Sequence, residues 1–124
     1  MNTAVLAIDI GASSGRHMLG QIEDGKLTLK EIYRFPNGAE KKNGHLCWNH
    51  RALWEHILAG MKKCAELGVI PASVGVDTWG VDYVLVDENG RMLSDGIAYR
   101  DDRTQTVLDK LPEEMLYRET GIAK

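Results

Sequence analysis

The feature that most constrains the fold is an apolar run that ends abruptly in glycine. Residues 4–10, AVLAIDI, are rich in branched aliphatic side chains, and the run is long enough for a buried strand but too short for a typical helix. The glycine-rich segment GASSGR at 11–16 follows, and RHMLGQIE then has strand character again. The sequence therefore predicts a strand, a tight turn and a second strand at the start of the chain.

Further turn signals extend this unit. Asp24 and Gly25 form the strongest short-range hairpin signal in the sequence, and the apolar–polar alternation of KLTLKEIYRF follows them. The alternation slips near Glu31, which predicts a β-bulge. Three antiparallel strands are expected. The polar stretch PNGAEKKNGH at 36–45 predicts a loop or turn, and LCW at 46–48 predicts a short strand.

One amphipathic helix is predicted after these strands. Asn49 is a good N-cap, and Gly68 suits the C-terminal end. Between them apolar residues recur every three or four positions, namely Leu53, Ile57, Met61 and Cys64. Because strands precede and follow this helix, the expected architecture is a helix packed on one face of a mixed sheet.

The last third of the chain mixes strand and helix signals. Residues 72–93, ASVGVDTWGVDYVLVDENGRML, predict one strand up to Asp77, a second strand over 82–87 and a turn at 87–90. Two short helices are expected, one after YRDDRT and one with Pro112 at its first position.

Composition and charge exclude several classes of protein. The 124 residues fit one domain, and 15 basic against 18 acidic residues give no electrostatic basis for binding nucleic acid. No apolar run approaches the roughly 18 residues of a membrane span, and the N-terminus lacks the basic leader of a signal peptide. Cys47 and Cys64 are too few for a disulfide framework. A soluble, cytoplasmic protein is expected.

The segment DIGASSGR at 9–16 allows two interpretations. The lysine-containing phosphate loop and the G-x-G-x-x-G dinucleotide fingerprint are both absent. A strand–turn–strand clasp would instead bring backbone N–H groups close to a phosphate, with Ser13 and Ser14 as hydroxyl donors and Arg16 as a planar fork. Asp9 would then face a hydrated metal ion. Alternatively, the glycines serve only the hairpin and Arg16 is solvated, and these residues alone leave both interpretations open.

Three segments together resemble the FGGY family of carbohydrate kinases. They are DIGASSGR, GVDTWGVDYVLVDENG at 75–90 and AYRDDRT at 98–104, and RFPNG and Trp48 also stand where the resemblance expects them. The resemblance extends from Ala4 to about Ile122. The motif DTWGVDYVL is typical of the branch that acts on L-rhamnulose, whereas DIGASSGR alone indicates only a wider superfamily of sugar kinases and related ATPases.

The resemblance implies an α/β fold of two ribonuclease H-like domains, as in the actin, hexokinase and heat-shock ATPase superfamily, each built on a five-stranded mixed sheet. Residues 1–124 would be the N-terminal part of the first domain, and the second domain would be absent. The implied reaction transfers the γ-phosphoryl group of ATP, with Mg²⁺, to the 1-hydroxyl of L-rhamnulose in L-rhamnose catabolism. The general base is expected beyond Lys124, so residues 1–124 are expected to be inactive alone.

The resemblance also implies a set of site residues. The ATP-binding segment would comprise Ala12, Ser13, Ser14, Gly15 and Arg16. Asp9 would lie near the metal. Gly80 would lie against the sugar, where a side chain would intrude, with Trp79 and Asp82 beside it. Without the resemblance, TWGVD favours a glycine bulge with Trp79 in the core.

Several alternatives stay open. His45, Cys47 and His50 resemble metal ligands, but a zinc site needs four, and core or surface roles are favoured. For YRDDRT, a solvated turn that caps the next helix is favoured over a place in the sugar cleft. An L-fuculose kinase and a non-catalytic binding or assembly domain are alternative functions. A sheet face that would normally meet the rest of the enzyme predicts self-association.

Overall fold

The computed structural model describes residues 3–108 and 110–122. The strands are β1 (Ala4–Ile10), β2 (Ser14–Glu23), β3 (Lys26–Pro36), β4 (Ala39–Lys42), β5 (His45–Trp48) and β6 (Ser73–Thr78). The helices are α1 (His50–Glu66), α2 (Gln105–Leu108) and α3 (Glu113–Thr120), and a short 3₁₀ turn over Asp102–Thr104 precedes α2. The main sheet has the order β3-β2-β1-β6, and β4 pairs with β5 in a separate hairpin.

The predicted antiparallel meander of β1, β2 and β3 is confirmed. Asp24 and Gly25 have φ angles of 50° and 74°, the left-handed conformation that two-residue hairpin turns use. The pairing of β2 with β3 shifts register between His17 and Met18, which leaves Ile32 as an extra residue on β3. The slip in the sequence pattern near Glu31 therefore marked a real bulge.

The sheet is mixed, as predicted. β1 pairs antiparallel with β2 and parallel with β6, and Ile10 at the end of β1 is in register with Thr78 at the end of β6. Parallel neighbours need a long crossover connection, which here contains α1. The described residues supply four of the five sheet strands that the family resemblance implies.

α1 packs on one face of β1, β2 and β3 and has the predicted ends. The Asn49 side chain accepts a hydrogen bond from the Ala52 N–H at 3.0 Å, and Gly68, at φ 69°, donates its N–H to the Ala65 carbonyl. The core beneath the helix is formed by alternate residues of β1 with one from β2 and one from α1, namely Ala4, Leu6, Ile8, Ile10, Leu19 and Cys64. The opposite face of β1, which carries Asp9, is therefore free of the helix.

Three local predictions were wrong. Ala39–Lys42 is a strand rather than a loop, because Asn43 and Gly44 adopt positive φ and turn it back onto β5. Residues 82–87 form no strand, because within the described chain only an isolated bridge between Val86 and Met92 offers them a partner. The last helix begins near Pro112 as predicted, but Pro112 occupies the N-cap position of α3 and not its first helical position.

Among the described residues, no helix has both the length and the apolar character that crossing a membrane requires.

Candidate functional site

A tight turn joins β1 to β2. The Gly11 N–H donates to the Ser14 carbonyl at 3.0 Å, and a Cβ at position 11 would lie 2.8 Å from that oxygen, so the turn itself requires glycine. Asn37, just after β3, holds the turn from one side. Its backbone N–H donates to the Ser13 carbonyl at 3.0 Å, and its side-chain amide donates to the Gly11 carbonyl at 2.8 Å. Sequence reasoning marked PNG only as a turn and missed this role of Asn37.

These contacts occupy the carbonyls of the turn and leave its donors available. No group in residues 3–108 and 110–122 accepts a hydrogen bond from the backbone N–H of Ala12 or Ser13. Within the same residues the hydroxyls of Ser13 and Ser14 have no partner either, and Ser13 is exposed. Successive unpaired N–H groups in a tight turn form a concavity suited to an anion. The turn Gly11–Ser14 with this donor set is called the clasp below.

Gly15 and Arg16 belong to β2, and Gly15 has a structural explanation. A Cβ on Gly15 would lie 2.1 Å from Cζ of the buried Phe35, so core packing alone requires glycine. Arg16 lies opposite Asp9, and its Nε is 3.1 Å from Asp9 Oδ2, an ion pair without hydrogen-bond geometry. Both side chains are about two-fifths exposed on the sheet face opposite α1, at 39% and 43%.

This ion pair is part of a row of charges across the sheet. Asp77 of β6 is in register with Asp9, and Arg34 of β3 is in register with Arg16. Arg34 also donates two hydrogen bonds to Glu31, which hold the pKa of that carboxyl below its usual value. The row therefore runs from two carboxylates to two guanidinium groups, and its middle members, Asp9 and Arg16, lie on the two strands that the clasp joins. Asp77 was not singled out as a site residue from the sequence.

A cluster of two indoles and a carboxylate follows β6. The rings of Trp48 and Trp79 have centroids 4.2 Å apart, and both indole N–H groups donate to one oxygen, Asp82 Oδ2, at 2.5 and 3.0 Å. Trp48 is buried, whereas Trp79 is partly buried against the core beneath α1, as its core interpretation predicts. Trp48 and Asp82 are 34 positions apart, so the sequence alone could not pair them.

The chain between the second indole and the carboxylate is strained. Val81 has a φ of 70°, a left-handed conformation that a β-branched residue rarely adopts and that costs on the order of 1–3 kcal/mol. Gly80 has no positive φ, and a Cβ there would meet no atom of the described chain within 4 Å. The described part of the chain therefore requires no glycine at position 80 for steric reasons.

An open cavity of about 280 Å³ lies beside this cluster. Its wall includes the two indoles, Asp82, His50 and the last residues of two strands, Ile10 and Thr78. A larger cavity of about 460 Å³ lies near the ion pair of Lys42 with Asp95, but none of the predicted site residues lines it.

The clasp and the cavity lie at the same edge of the sheet. Because Ile10 and Thr78 are in register on parallel strands, Gly11 and Trp79 leave the sheet side by side. Open α/β sheets bind their ligands outside the carboxyl ends of parallel strands. The two predicted segments, far apart in sequence, thus meet as neighbours.

Two other sequence features have structural roles. Among the candidate metal ligands, His45 Nδ1 lies 3.2 Å from Asp101 Oδ1, and Cys47, like Cys64, is a buried free thiol. No three potential metal ligands come together within the described residues. Asp101 accepts a hydrogen bond from the Arg103 N–H and caps the 3₁₀ turn. The capping interpretation of YRDDRT is confirmed, but the expectation of a solvated turn is wrong at Asp101, whose side chain is buried.

Comparison with known proteins identifies the relatives of this chain. Residues 4–123 match the N-terminal domain of the FGGY family of carbohydrate kinases. Over 123 residues the chain is 51% identical to a rhamnulokinase of Ligilactobacillus salivarius, and over 120 residues it is 48% identical to one of Bacillus subtilis. These matches cover 96% and 94% of this chain but only 25% of each relative. The chain thus spans about a quarter of the length of the curated relatives it matches.

Solved structures agree on the fold. A gluconate kinase from Lactobacillus acidophilus superimposes with a TM-score of 0.80 at 12% identity, covering 98% of this chain and 25% of that one. The glycerol kinase of Plasmodium falciparum gives 0.73 at 15% identity, covering 98% and 26%. At such identities the likeness shows the fold alone, and it confirms the predicted α/β class.

Proposed function

The chain belongs to the FGGY family of carbohydrate kinases, and from this membership we propose that it is the N-terminal part of an enzyme that phosphorylates the 1-hydroxyl of L-rhamnulose with ATP. The rhamnulokinases that are about half identical to it support this sugar. The observation that carries the proposal is the in-register pair Ile10 and Thr78, which brings a turn with unpaired N–H donors and a polar–aromatic cavity side by side. In this proposal the general base lies further along the full-length enzyme, beyond Lys124, and the adenine site belongs to a second domain.

The clasp would hold the phosphate that is transferred. The free N–H groups of Ala12 and Ser13 and the hydroxyls of Ser13 and Ser14 are the donors suited to phosphate oxygens. Arg16 stands next to them and would exchange part of its contact with Asp9 for the anion. Gly15 would keep the strand close to this turn while leaving room for Phe35.

The residues present also suit a magnesium ion. Mg²⁺ keeps several waters in proteins and is bound through one or two carboxylates together with phosphate. Asp9 is a partly exposed carboxylate at the end of β1, next to the clasp, and Asp77 lies in register beside it. Asp9 would hold the ion through water, and the ion would supply the positive charge that phosphoryl transfer needs.

The cavity beside the indoles would hold the sugar. Trp79 and Trp48 form an apolar wall against which the C–H face of a sugar ring can pack, and Asp82 supplies an acceptor for hydroxyl groups. The open space at Gly80 would let the sugar approach the backbone.

Since ATP and free thiols are both typical of a reducing interior, we propose that the enzyme works in the cytoplasm.

The test is an assay of ATP-dependent phosphorylation by the complete reading frame that contains these residues, with L-rhamnulose and L-fuculose as parallel substrates. L-rhamnulose is expected to be preferred. Gly80→Val is expected to lower kcat/KM by about 10²-fold, because misplacing the sugar by an ångström is costly, while the fold stays intact. Gly75→Val is the matched control, since a Cβ there also meets nothing within 4 Å and the position lies within β6, whereas Gly80 follows Trp79 of the cavity wall directly.

The other outcomes select between alternatives. Preferred turnover of L-fuculose would change the proposed substrate from L-rhamnulose to L-fuculose, while the kinase activity would still be supported. Turnover of neither sugar by a folded protein would favour the non-catalytic binding or assembly domain.

For residues 1–124 taken alone we further propose self-association through β6. All six of its residues are exposed, including Val74 and Val76 at 47% and 59%, and β6 is an edge strand of the sheet within the described residues. An exposed apolar edge is a template for pairing with a second copy.

A further inference from the structure

We propose that His50 determines sugar specificity: its Nε2–H donates a hydrogen bond to an oxygen of the ketose bound in the cavity beside Trp48 and Trp79. The proposal rests on the proposed function, because it takes the cavity to be the sugar site. It adds a residue that neither the motifs nor the family resemblance singled out for this role.

The fold places His50 in the cavity wall. His50 is the first residue of α1, directly after the Asn49 cap, and β5 ends just before it at the buried Trp48. The start of α1 is fixed by the cap and by this strand. The imidazole therefore lines the same cavity as both indoles and Asp82.

Gly96 fixes the position of the ring. A Cβ on Gly96 would lie 2.9 Å from His50 Cε1 and 3.2 Å from its Nε2, so the imidazole occupies the space that a side chain at position 96 would fill. Gly96 is itself held in place, since its carbonyl accepts a hydrogen bond from the Trp48 N–H at 2.9 Å. The ring is thus packed between a buried backbone segment and the cavity.

The two ring nitrogens differ in their surroundings. Nδ1 is buried and has no hydrogen-bond partner among the described residues. A proton on Nδ1 would be a buried donor without an acceptor, which is more costly than a proton placed on a nitrogen that can reach a partner. Nε2 also has no partner among the described residues, but it is not fully buried, so a proton there can reach a ligand in the cavity. We therefore assign the proton of the neutral ring to Nε2.

Asp82 supplies the complementary group. Its Oδ2 is already occupied by two indole N–H donors, whereas Oδ1 has no partner within the described part of the chain. The cavity thus offers one donor and one acceptor next to an aromatic wall. A sugar hydroxyl can both donate and accept, and a site whose polar groups are paired by one substrate discriminates strongly against analogues that leave them unpaired.

The first experiment reads the tautomer directly. A long-range ¹H–¹⁵N correlation spectrum of residues 1–124 at neutral pH distinguishes a proton on Nε2 from one on Nδ1. The Nε2–H form of His50 is expected. A His50 ring that carries its single proton on Nδ1 would overturn the proposal, whatever sugar the protein binds.

The second experiment tests the donor with two variants. His50→Phe keeps a ring of similar size but has no donor, and His50→Gln keeps an N–H donor of similar reach. L-rhamnulose is titrated into each protein, and the indole N–H signals of Trp48 and Trp79 are followed, with the exposed Trp54 as an internal reference. We expect the dissociation constant to rise about tenfold for His50→Phe, as for loss of one matched hydrogen bond, and to change less than about threefold for His50→Gln.

The outcomes separate this proposal from the function on which it rests. Equal affinity of wild type and His50→Phe would overturn the role of His50 while leaving the sugar site intact. The wild type could instead bind L-fuculose and not L-rhamnulose, with His50→Phe losing that binding. This result would support His50 as a hydrogen-bond donor but would reject L-rhamnulose as the sugar. If no ketose moves the indole signals of the wild type, this cavity is not the sugar site and the role of His50 fails, whereas the kinase proposal is decided by turnover of the complete enzyme.

Discussion

At the scale of single residues, the glycines show which contacts the fold fixes. Gly60 of α1 faces His17, whose fully buried ring packs against the rings of Tyr33 and Phe35. The distance from His17 Nε2 to the Ile57 carbonyl oxygen is 3.2 Å. Burial lowers the pKa of His17 and favours its neutral form. A Cβ at position 60 would lie only 2.3 Å from the His17 ring, so the helix needs glycine here despite its poor helix propensity.

Gly60→Ala is therefore expected to destabilise the fold. In an open helix position this change normally stabilises by about 1 kcal/mol, but overpacking His17 is expected to reverse the sign and cost about 1–3 kcal/mol. Urea denaturation measures the difference. Gly80→Ala, where nothing lies within 4 Å, is the control and is expected to stay within about 0.5 kcal/mol of wild type. A stabilised Gly60→Ala protein would contradict the packing of His17.

At the scale of elements, Asp101 joins two segments of the chain. Its buried carboxylate accepts the Leu46 N–H of β5 at 2.7 Å and the Arg103 N–H of the 3₁₀ turn at 3.0 Å, and it lies 3.2 Å from His45 Nδ1. The Leu46 hydrogen bond is the main cause that lowers the pKa of Asp101 below its usual value. The ionised carboxylate therefore stabilises the docking of this segment on the β4–β5 hairpin.

The sign of the pH dependence follows from this depressed pKa. The stabilisation is complete above the pKa of an unfolded Asp, about 4, and is lost as the pH falls through the lower folded pKa. Asp101→Asn is expected to lower the free energy of unfolding at pH 7. The difference in free energy of unfolding between this variant and wild type is expected to shrink as the pH falls toward 3. Asp102→Asn, at the exposed neighbouring position, is the control. Equal effects of the two substitutions across this range would contradict the assigned role.

At the scale of the whole molecule, β6 presents an open edge. Val76→Lys is expected to reduce self-association of residues 1–124, because a charge on an edge strand opposes pairing with a second copy. Sedimentation equilibrium at several concentrations measures the change. Ile22→Lys, at another apolar residue that is 55% exposed, is the matched control. A wild-type chain that stays monomeric at millimolar concentration would refute self-association.

The features that were correctly predicted from the sequence are those that residues adjacent in the chain determine. The hairpin at Asp24–Gly25, the bulge near Glu31 and the Asn49 cap all follow from local backbone preferences. Strand β4 was missed because AEKK has charged residues on both faces and so lacks the apolar–polar alternation of a strand. Residues 82–87 were wrongly predicted as a strand because an alternating pattern forms a strand only when a neighbouring strand pairs with it.

The site was harder to predict because its contacts join distant parts of the chain. Trp48 meets Asp82, Asn37 meets Gly11, and Gly96 makes room for His50, and no local pattern encodes such pairs. The family resemblance supplied Gly80 and the ATP-binding segment instead. Their roles as ligand contacts stay predictions, since the fold itself explains Gly15 by packing and requires nothing of Gly80.

The central claim is that the clasp and the cavity are two halves of one cleft at the ends of β1 and β6. The most direct measurement is an amide ¹H–¹⁵N spectrum of residues 1–124, titrated with Mg²⁺–ATP and with L-rhamnulose, separately and together, up to the millimolar range expected for half a site. ATP is predicted to shift Ala12 and Ser13, L-rhamnulose to shift Trp79 and Gly80, and each ligand to alter the response to the other across the Ile10–Thr78 pair. Ligand shifts confined to other surfaces, with these residues unmoved, would contradict the account.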